Sequence, residues 1–341
     1  MGLDLKPLVT AVPLKLQELA GKVIAIDAYN TIYQFLSTIR GPTGEPLSNS
    51  KGEITSHLSG IFYRNTNLLM ENIKPVYVFD GKANDLKTAE IQRRSQLKKE
   101  ATEKYQLAIE EGRIEDARKY GSRTAVLNDK MVEESKKLLS ILGIPYIQAP
   151  SDGEATAAYL TKRDLVYAAA SQDYDSILFG AKKLVRNLAI SGKRKVPNRN
   201  AYIDVEPEIF EHDKVLQEIG LTHEQLVDVG ILIGTDFNPG GFPGIGPKTA
   251  LKLIKESGRL ENVEKIKHLL SQVPYQEIRK IFLDPEVPQV DRIEFGEVNR
   301  EKVLDFLCVD KSFSADRVSG TLDKLEKSVA NRSQSLEQWF G

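Results

Sequence analysis

Val23-Ile24-Ala25-Ile26-Asp27 is a short apolar run that ends on a carboxylate, and the chain repeats that device three more times. Val76-Tyr77-Val78-Phe79 runs into Asp80; Leu165-Val166-Tyr167-Ala168-Ala169-Ala170 leads to Asp173 and Asp175; Ile231-Leu232-Ile233 leads through Gly234-Thr235 to Asp236. Runs of this length fit strands buried on both faces, as in a parallel sheet covered by helices. Ligands of such sheets bind beyond the carboxyl ends of the strands. The pattern predicts an α/β fold whose mainly parallel central sheet brings five aspartates to one edge. Only a strong local positive charge makes such a cluster tolerable, and metal ions supply one.

Composition sets limits on the function. With 341 residues, 41% of them hydrophobic and 28% charged, the chain can build a sizeable core as two domains or as one composite domain with insertions. No apolar stretch approaches the roughly 18 residues of a membrane span. Asp4, Lys6, Lys15 and Glu18 stand where a signal peptide would be apolar, so neither secretion nor a membrane is expected. The single cysteine, Cys308, excludes an internal disulfide framework and is compatible with a reducing, cytoplasmic compartment. A net charge of −1 conceals two opposed fields. Lys182, Lys183, Arg186, Lys193, Arg194, Lys195 and Arg199 follow one another with no acidic residue among them, either as a phosphate-contacting stripe or as a solvated basic hairpin.

One segment interrupts the alternation of strand and helix patterns. From about 82 to 130 the residues are charged or small, with helical propensity and few large apolar groups. This segment is either a surface helical hairpin or a mobile lid over the carboxylates. Ser151-Asp152-Gly153-Glu154 precedes a helical run; Ser151 and Glu154 have capping-box spacing, so the segment is a helix cap or part of a metal site. Asp152 and Glu154 converge only where the chain is still turning into its helix.

No histidine or cysteine joins these clusters, because His57, His212, His223 and His268 are scattered. An all-oxygen set of Asp27, Asp80, Asp152, Glu154, Asp173, Asp175 and Asp236 favours Mg²⁺, with Mn²⁺ as a substitute, over zinc. Its excess of carboxylates suits two ions roughly 3.5–4 Å apart in phosphoryl displacement, which points to phosphate-ester hydrolysis without a covalent intermediate. Phe242-Pro243-Gly244-Ile245-Gly246-Pro247-Lys248-Thr249-Ala250 then names the substrate class. Gly244 and Gly246 let backbone amides approach a phosphate, Pro247 suits a first helical position, and the helix that follows favours an anion. This is the hairpin of a helix-hairpin-helix element spanning about 226–258, which grips DNA backbone without reading bases.

The order Asp27, Phe79-Asp80-Gly81-Lys82, Asp152-Gly153-Glu154, Asp173-Tyr174-Asp175, and Gly234-Thr235-Asp236 followed by Gly244-Ile245-Gly246-Pro247-Lys248 resembles the XPG-like structure-specific 5′ nucleases. The tail and compact length are similar to the archaeal flap endonucleases of that family. The resemblance covers essentially the whole chain and implies a PIN-like nuclease fold over 1–305. Within it would lie an N-terminal part (about 1–98), a helical arch (about 82–130) and an internal part (about 131–258), with 306–341 as a C-terminal extension. It implies cleavage of 5′ flaps in replication and repair, as in Okazaki fragment maturation, together with 5′-3′ exonuclease activity. Asp27, Asp80, Asp152 and Glu154 would surround one Mg²⁺, and Asp173, Asp175 and Asp236 the other. K⁺ would be a further cation at the hairpin. Lys87 and Arg94 would touch the scissile phosphate, a base would stack on Tyr33, Gly2 would lie near the active site, and Thr55 with His57 would meet the junction and a 3′ flap. The protein is expected to be a nucleoid-associated monomer when free.

Position 152 is Asp where many relatives carry Glu, which shortens the ligand but keeps its charge. Ser333-Gln334-Ser335-Leu336-Glu337-Gln338-Trp339-Phe340 resembles the family's sliding-clamp peptide (proliferating cell nuclear antigen type). Aligned on Leu336, Trp339 and Phe340, the leading glutamine falls on Ser333, with Gln334 one step out of register. The rival readings are a related 5′-3′ exonuclease or gap endonuclease, a non-enzymatic junction-binding scaffold, and a small-molecule phosphohydrolase. A scaffold would be expected to lose carboxylates; a phosphohydrolase leaves the hairpin and tail unexplained.

Overall fold

Each of the first two apolar runs faces two cores at once, which explains why neither alternates. In one core Ala25 lies with Val76 and Val78; in the other Ile24 and Ile26 lie with Tyr77 and Phe79. The structure, a computed structural model, describes residues 5–188, 192–195 and 202–340, excluding the side chains of 192–195, 202–204 and 333–340. The N-terminal half runs β1 (Val12–Pro13), β2 (Val23–Asp27), α1 (Ala28–Thr38), α2 (Ser56–Met70), β3 (Lys74–Phe79), α3 (Thr88–Glu110), α4 (Ile114–Gly121), α5 (Asp129–Ile141) and β4 (Tyr146–Gln148). There follow α6 (Gly153–Lys162), β5 (Ala168–Ala170), α7 (Asp175–Leu178), β6 (Lys183–Arg186), β7 (Gly192–Lys195), β8 (Tyr202–Val205), β9 (Glu208–Glu211) and α8 (His212–Ile219). The chain finishes with α9 (His223–Ile233), α10 (Pro247–Ser257), α11 (Tyr275–Leu283), α12 (Arg300–Leu304) and α13 (Ala315–Phe340).

The main sheet has the order β1-β9-β6-β5-β2-β3-β4. From β6 to β4 neighbouring strands are parallel, and β9 and β1 add antiparallel pairs at one side. Ile26 stands opposite both Tyr77 and Ala170, so β2 is the middle of the five parallel strands. The chain leaves β2 towards β3 and β4 and later returns to its other flank with β5 and β6. This reversal is the switch point where open α/β sheets bind ligands.

Three expectations are corrected. The run Leu165–Ala170 yields a strand only at Ala168–Ala170. Ile231-Leu232-Ile233 is no strand but the last turn of α9. That helix starts at a Thr222–Gln225 capping box, buries Leu226, Val227, Val229, Ile231 and Leu232, and stops where Gly234 takes φ 111°. A short apolar run is ambiguous between strand and buried helix. The tail expected within 306–341 is instead largely α13, whose Val318, Leu322 and Leu325 are buried; the first two enter the core that also holds Phe306 and Leu307. Their four-residue and three-residue spacing places one apolar stripe on that helix. The clamp-like residues Ser333, Leu336, Trp339 and Phe340 continue α13 as backbone, and their side chains lie outside the described residues, as does Gly2.

Candidate active site at the carboxyl edge of the sheet

Asp27 ends β2 and caps α1, its Oδ1 accepting from the Asn30 amide at 3.0 Å. Asn30 in turn donates through Nδ2 to Asp173 Oδ2 at 3.0 Å, which ties the loop after β5 to the end of β2. Asp80 follows β3 and its Oδ1 accepts from the Gly153 amide at 2.6 Å. A Cβ on Gly153 would lie 2.8 Å from that same oxygen, so the glycine permits the approach. Asp152 is the extended N-cap of α6 (φ −76°, ψ 127°), and Glu154 lies in the first turn of that helix. The capping box at Ser151 and Glu154 does not form; Glu154 Oε1 accepts from Ser171 Oγ at 2.9 Å. Ser171 also accepts from the Asp173 amide, so one hydroxyl orients two acidic segments.

The seven carboxylates form one electrostatically connected set. Burial, then Asp80 and Asp173, push the Asp27 carboxyl well above its usual range against the Asn30 hydrogen bond. Burial, then Asp175, Asp27 and Asp173, do the same to Glu154. Asp80 is raised by burial and by Asp152 and Asp236, while the Gly153 amide and Lys87 oppose the shift. Among the described residues no three His, Cys, Asp or Glu side chains close on one point as a finished cation shell. Two basic residues reach into the set. Lys87 Nζ bonds Asp152 and lies 4.8 Å from the Phe237 ring centre. Arg94 donates through one terminal nitrogen to Asp236 Oδ1 at 2.7 Å and Oδ2 at 2.8 Å. Burial alone would lower the Lys87 ammonium, but Asp152, Asp80 and Asp236 outweigh it and raise it. Buried like charges bordered by Lys87 and Arg94 fit divalent ions by donor chemistry and by charge.

Tyr33 carries Lys98 over its ring, Nζ 4.5 Å from the centre. Thr55 and His57 are both buried, and His57 Nε2 meets Glu134 Oε2 at 3.2 Å. Of the basic run, Lys182 pairs with Asp164 and Arg186 donates to the Gln172 carbonyl and Tyr174 hydroxyl; the side chains of Lys193 to Arg199 lie outside the described residues. The hairpin between α9 and α10 is anchored by buried Phe242 and Ile245. Gly244 takes φ 72°, Gly246 caps α10, and a Cβ on either would meet nothing within 4 Å. That open backbone, with Lys248 exposed beside it, suits a phosphate. Sequence reasoning missed Asn30, Ser171, Glu90 and Lys98; only Asn30, three residues into a capped helix, carries a local signal.

The chain matches the XPG N-terminal domain over residues 4–101 and the XPG I-region over 143–236. It is 59% identical to flap endonuclease 1 of Nitrosopumilus maritimus over the full length of both chains. It is 48% identical to that of Pyrococcus furiosus, covering 100% of this chain and 99% of the relative. Its structure is similar to flap endonuclease-1 from Methanococcus jannaschii, with a TM-score of 0.75 and 38% identity over 97% of this chain and 100% of the other. It is also similar to the catalytic core of Rad2 in complex with DNA substrate, with a TM-score of 0.69 and 25% identity over 92% and 96%. A parallel sheet with its carboxylates at the switch point, joined to these matches, places the chain in the flap endonuclease 1 family of structure-specific 5′ nucleases.

Proposed function

We propose that the chain is a Mg²⁺-dependent 5′ flap endonuclease with 5′-3′ exonuclease activity, whose two ions are held by Asp27, Asp80, Asp152, Glu154, Asp173, Asp175 and Asp236. The observation that carries this reading is the connected carboxylate set, in which Asp27 and Glu154 are pushed up by burial and by one another's neighbours. Bound divalent ions neutralise that set and polarise the phosphodiester. The chain's own groups do the rest. Asn30 and Ser171 hold the acidic loops in register, Lys87 and Arg94 donate to phosphate oxygens, and Tyr33 offers a face to a base once Lys98 moves off it. Gly244, Gly246 and Lys248 hold the duplex by its backbone, with K⁺ as an added cation there. Residues 333–340 dock on a sliding clamp, and the free protein is a cytoplasmic monomer.

The carboxylates should affect chemistry far more than DNA binding. Asp80→Ala and Asp175→Ala are expected to bind a 5′ flap duplex in Ca²⁺ yet to lose cleavage in Mg²⁺ by at least about two orders of magnitude. Loss of binding alone, with bound substrate still cut at the normal rate, would overturn the assignment. Flap, gapped, blunt and single-stranded DNAs compared side by side separate the flap endonuclease from its exonuclease and scaffold rivals.

A further inference from the structure

Glu90 is 3% exposed on α3, a helix whose other buried residues are only Ala101 and Ala108. A glutamate buried on a largely solvated helix is costly unless its oxygens are matched. Here they are matched twice. Arg93 grips both oxygens, Nε to Oε2 and a terminal nitrogen to Oε1, each at 2.7 Å. Arg94 donates Nε to Oε1 at 2.6 Å. Arg94 is therefore held along one edge by its own helix, while its far nitrogen reaches Asp236.

We propose that Glu90 is a positioning residue for cleavage, acting through Arg94. Arg93 satisfies the charge of Glu90, so Arg94 keeps a full positive charge to deliver outward while its Nε edge stays fixed. When the Asp236 oxygens are taken by a cation, the freed end of the guanidinium is already aimed at the phosphate. Without Glu90, the fork swings on a flexible stem and must be ordered anew in each turnover. The hydrogen bonds from Arg93 hold the Glu90 carboxyl down at about 2, with Arg94 adding to them, so the arrangement stays ionised across the working pH range.

This inference rests on the proposed placement of Arg94 at the scissile phosphate, and a mutant cycle separates the two ideas. Single-turnover cleavage of a 5′ flap duplex in Mg²⁺ and flap affinity in Ca²⁺ are measured for wild type, Glu90→Gln, Arg94→Ala and the double variant. Glu90→Gln should cleave about tenfold more slowly with affinity unchanged, and should add less than about twofold once Arg94 is already alanine. Should Glu90→Gln fail to fold, Glu90→Asp withdraws the carboxylate by one methylene and should show a smaller loss with the same non-additivity. If Arg94→Ala is slow while Glu90→Gln cleaves normally, Glu90 has no positioning role. If Glu90→Gln costs the same factor with and without Arg94, its role is structural and the inference falls. If Arg94→Ala itself cleaves at the normal rate, the placement of Arg94 falls and the inference with it.

Discussion

Gly81→Ala tests whether backbone packing, and not only the carboxylates, sets the site. The Gly81 amide donates to the Ser151 carbonyl at 2.6 Å and the Lys82 amide to the Pro150 carbonyl at 3.1 Å, joining the segment after β3 to the approach to α6. Asp80 precedes the first of these bonds, and Asp152 and Glu154 follow the second. A Cβ on Gly81 would lie 2.2 Å from the Ala149 carbonyl oxygen and 2.3 Å from that of Pro150, against an ordinary contact of at least 3.4 Å. Both partners are backbone, so the two segments must separate by about 1 Å, a shift that in an active site costs on the order of 10²-fold in rate. Weakening two backbone hydrogen bonds at about 0.5–1.5 kcal/mol each should cost about 1–3 kcal/mol of stability. The assay pairs urea unfolding with single-turnover flap cleavage at saturating enzyme, and with flap affinity in Ca²⁺, which should hold. Destabilisation with cleavage at the wild-type rate would show that this junction does not fix the carboxylates, and the reasoning would fail.

The hairpin should respond in the opposite way. The space beside Gly246 is open, so Gly246→Val should cost only what a poor N-cap costs, about 1 kcal/mol, while duplex affinity falls; a larger loss of stability would show a packing role. Lys248→Ala should reduce the log–log salt slope of duplex binding by about one unit, and an unchanged slope removes Lys248 as a phosphate contact. Burial, with the charges of His212 and Lys162, lowers the His223 imidazole from 6.5 to about 4. The fold thus favours its neutral form, and the stability this contributes is full above pH 6.5 and is lost as pH falls towards 4. Unfolding midpoints of His223→Gln should therefore decline less than those of wild type over that window, and parallel curves would refute the linkage. Trp339→Ala with Phe340→Ala should abolish clamp binding and clamp stimulation but not clamp-free cleavage. Ser333→Gln should tighten clamp binding; a tenfold loss by calorimetry on Gln334→Ala, about 1.4 kcal/mol, would make Gln334 the latch.

What the sequence made legible, and what it hid, divides by range. Val23–Asp27 and Val76–Asp80 were readable because burial on both faces is a local property of a run. Ile231–Ile233 was misread by the same rule, although Thr222 and Gln225 upstream carried a helix-start signal that outranks run length. Val318, Leu322 and Leu325 were present as a stripe but were outweighed by the charged residues around them. Thr55 and His57 look exposable in isolation. His57 is in fact buried, and its partner Glu134 lies 77 residues further on, in α5. The same holds at the site. Its acidic members could be enumerated from their segments, but which cation meets which carboxylate depends on contacts across 65 residues for Lys87 with Asp152 and 142 for Arg94 with Asp236. Those pairings are set by the sheet order, which brings the base of α3 over the switch point. Side chains of Lys87 and Arg94 then settle on whichever anionic oxygens lie within reach. On the proposed assignment, the two groups given to phosphate, Lys87 and Arg94, pair with two of the carboxylates given to the metal, Asp152 and Asp236, so both roles meet at the same long-range contacts.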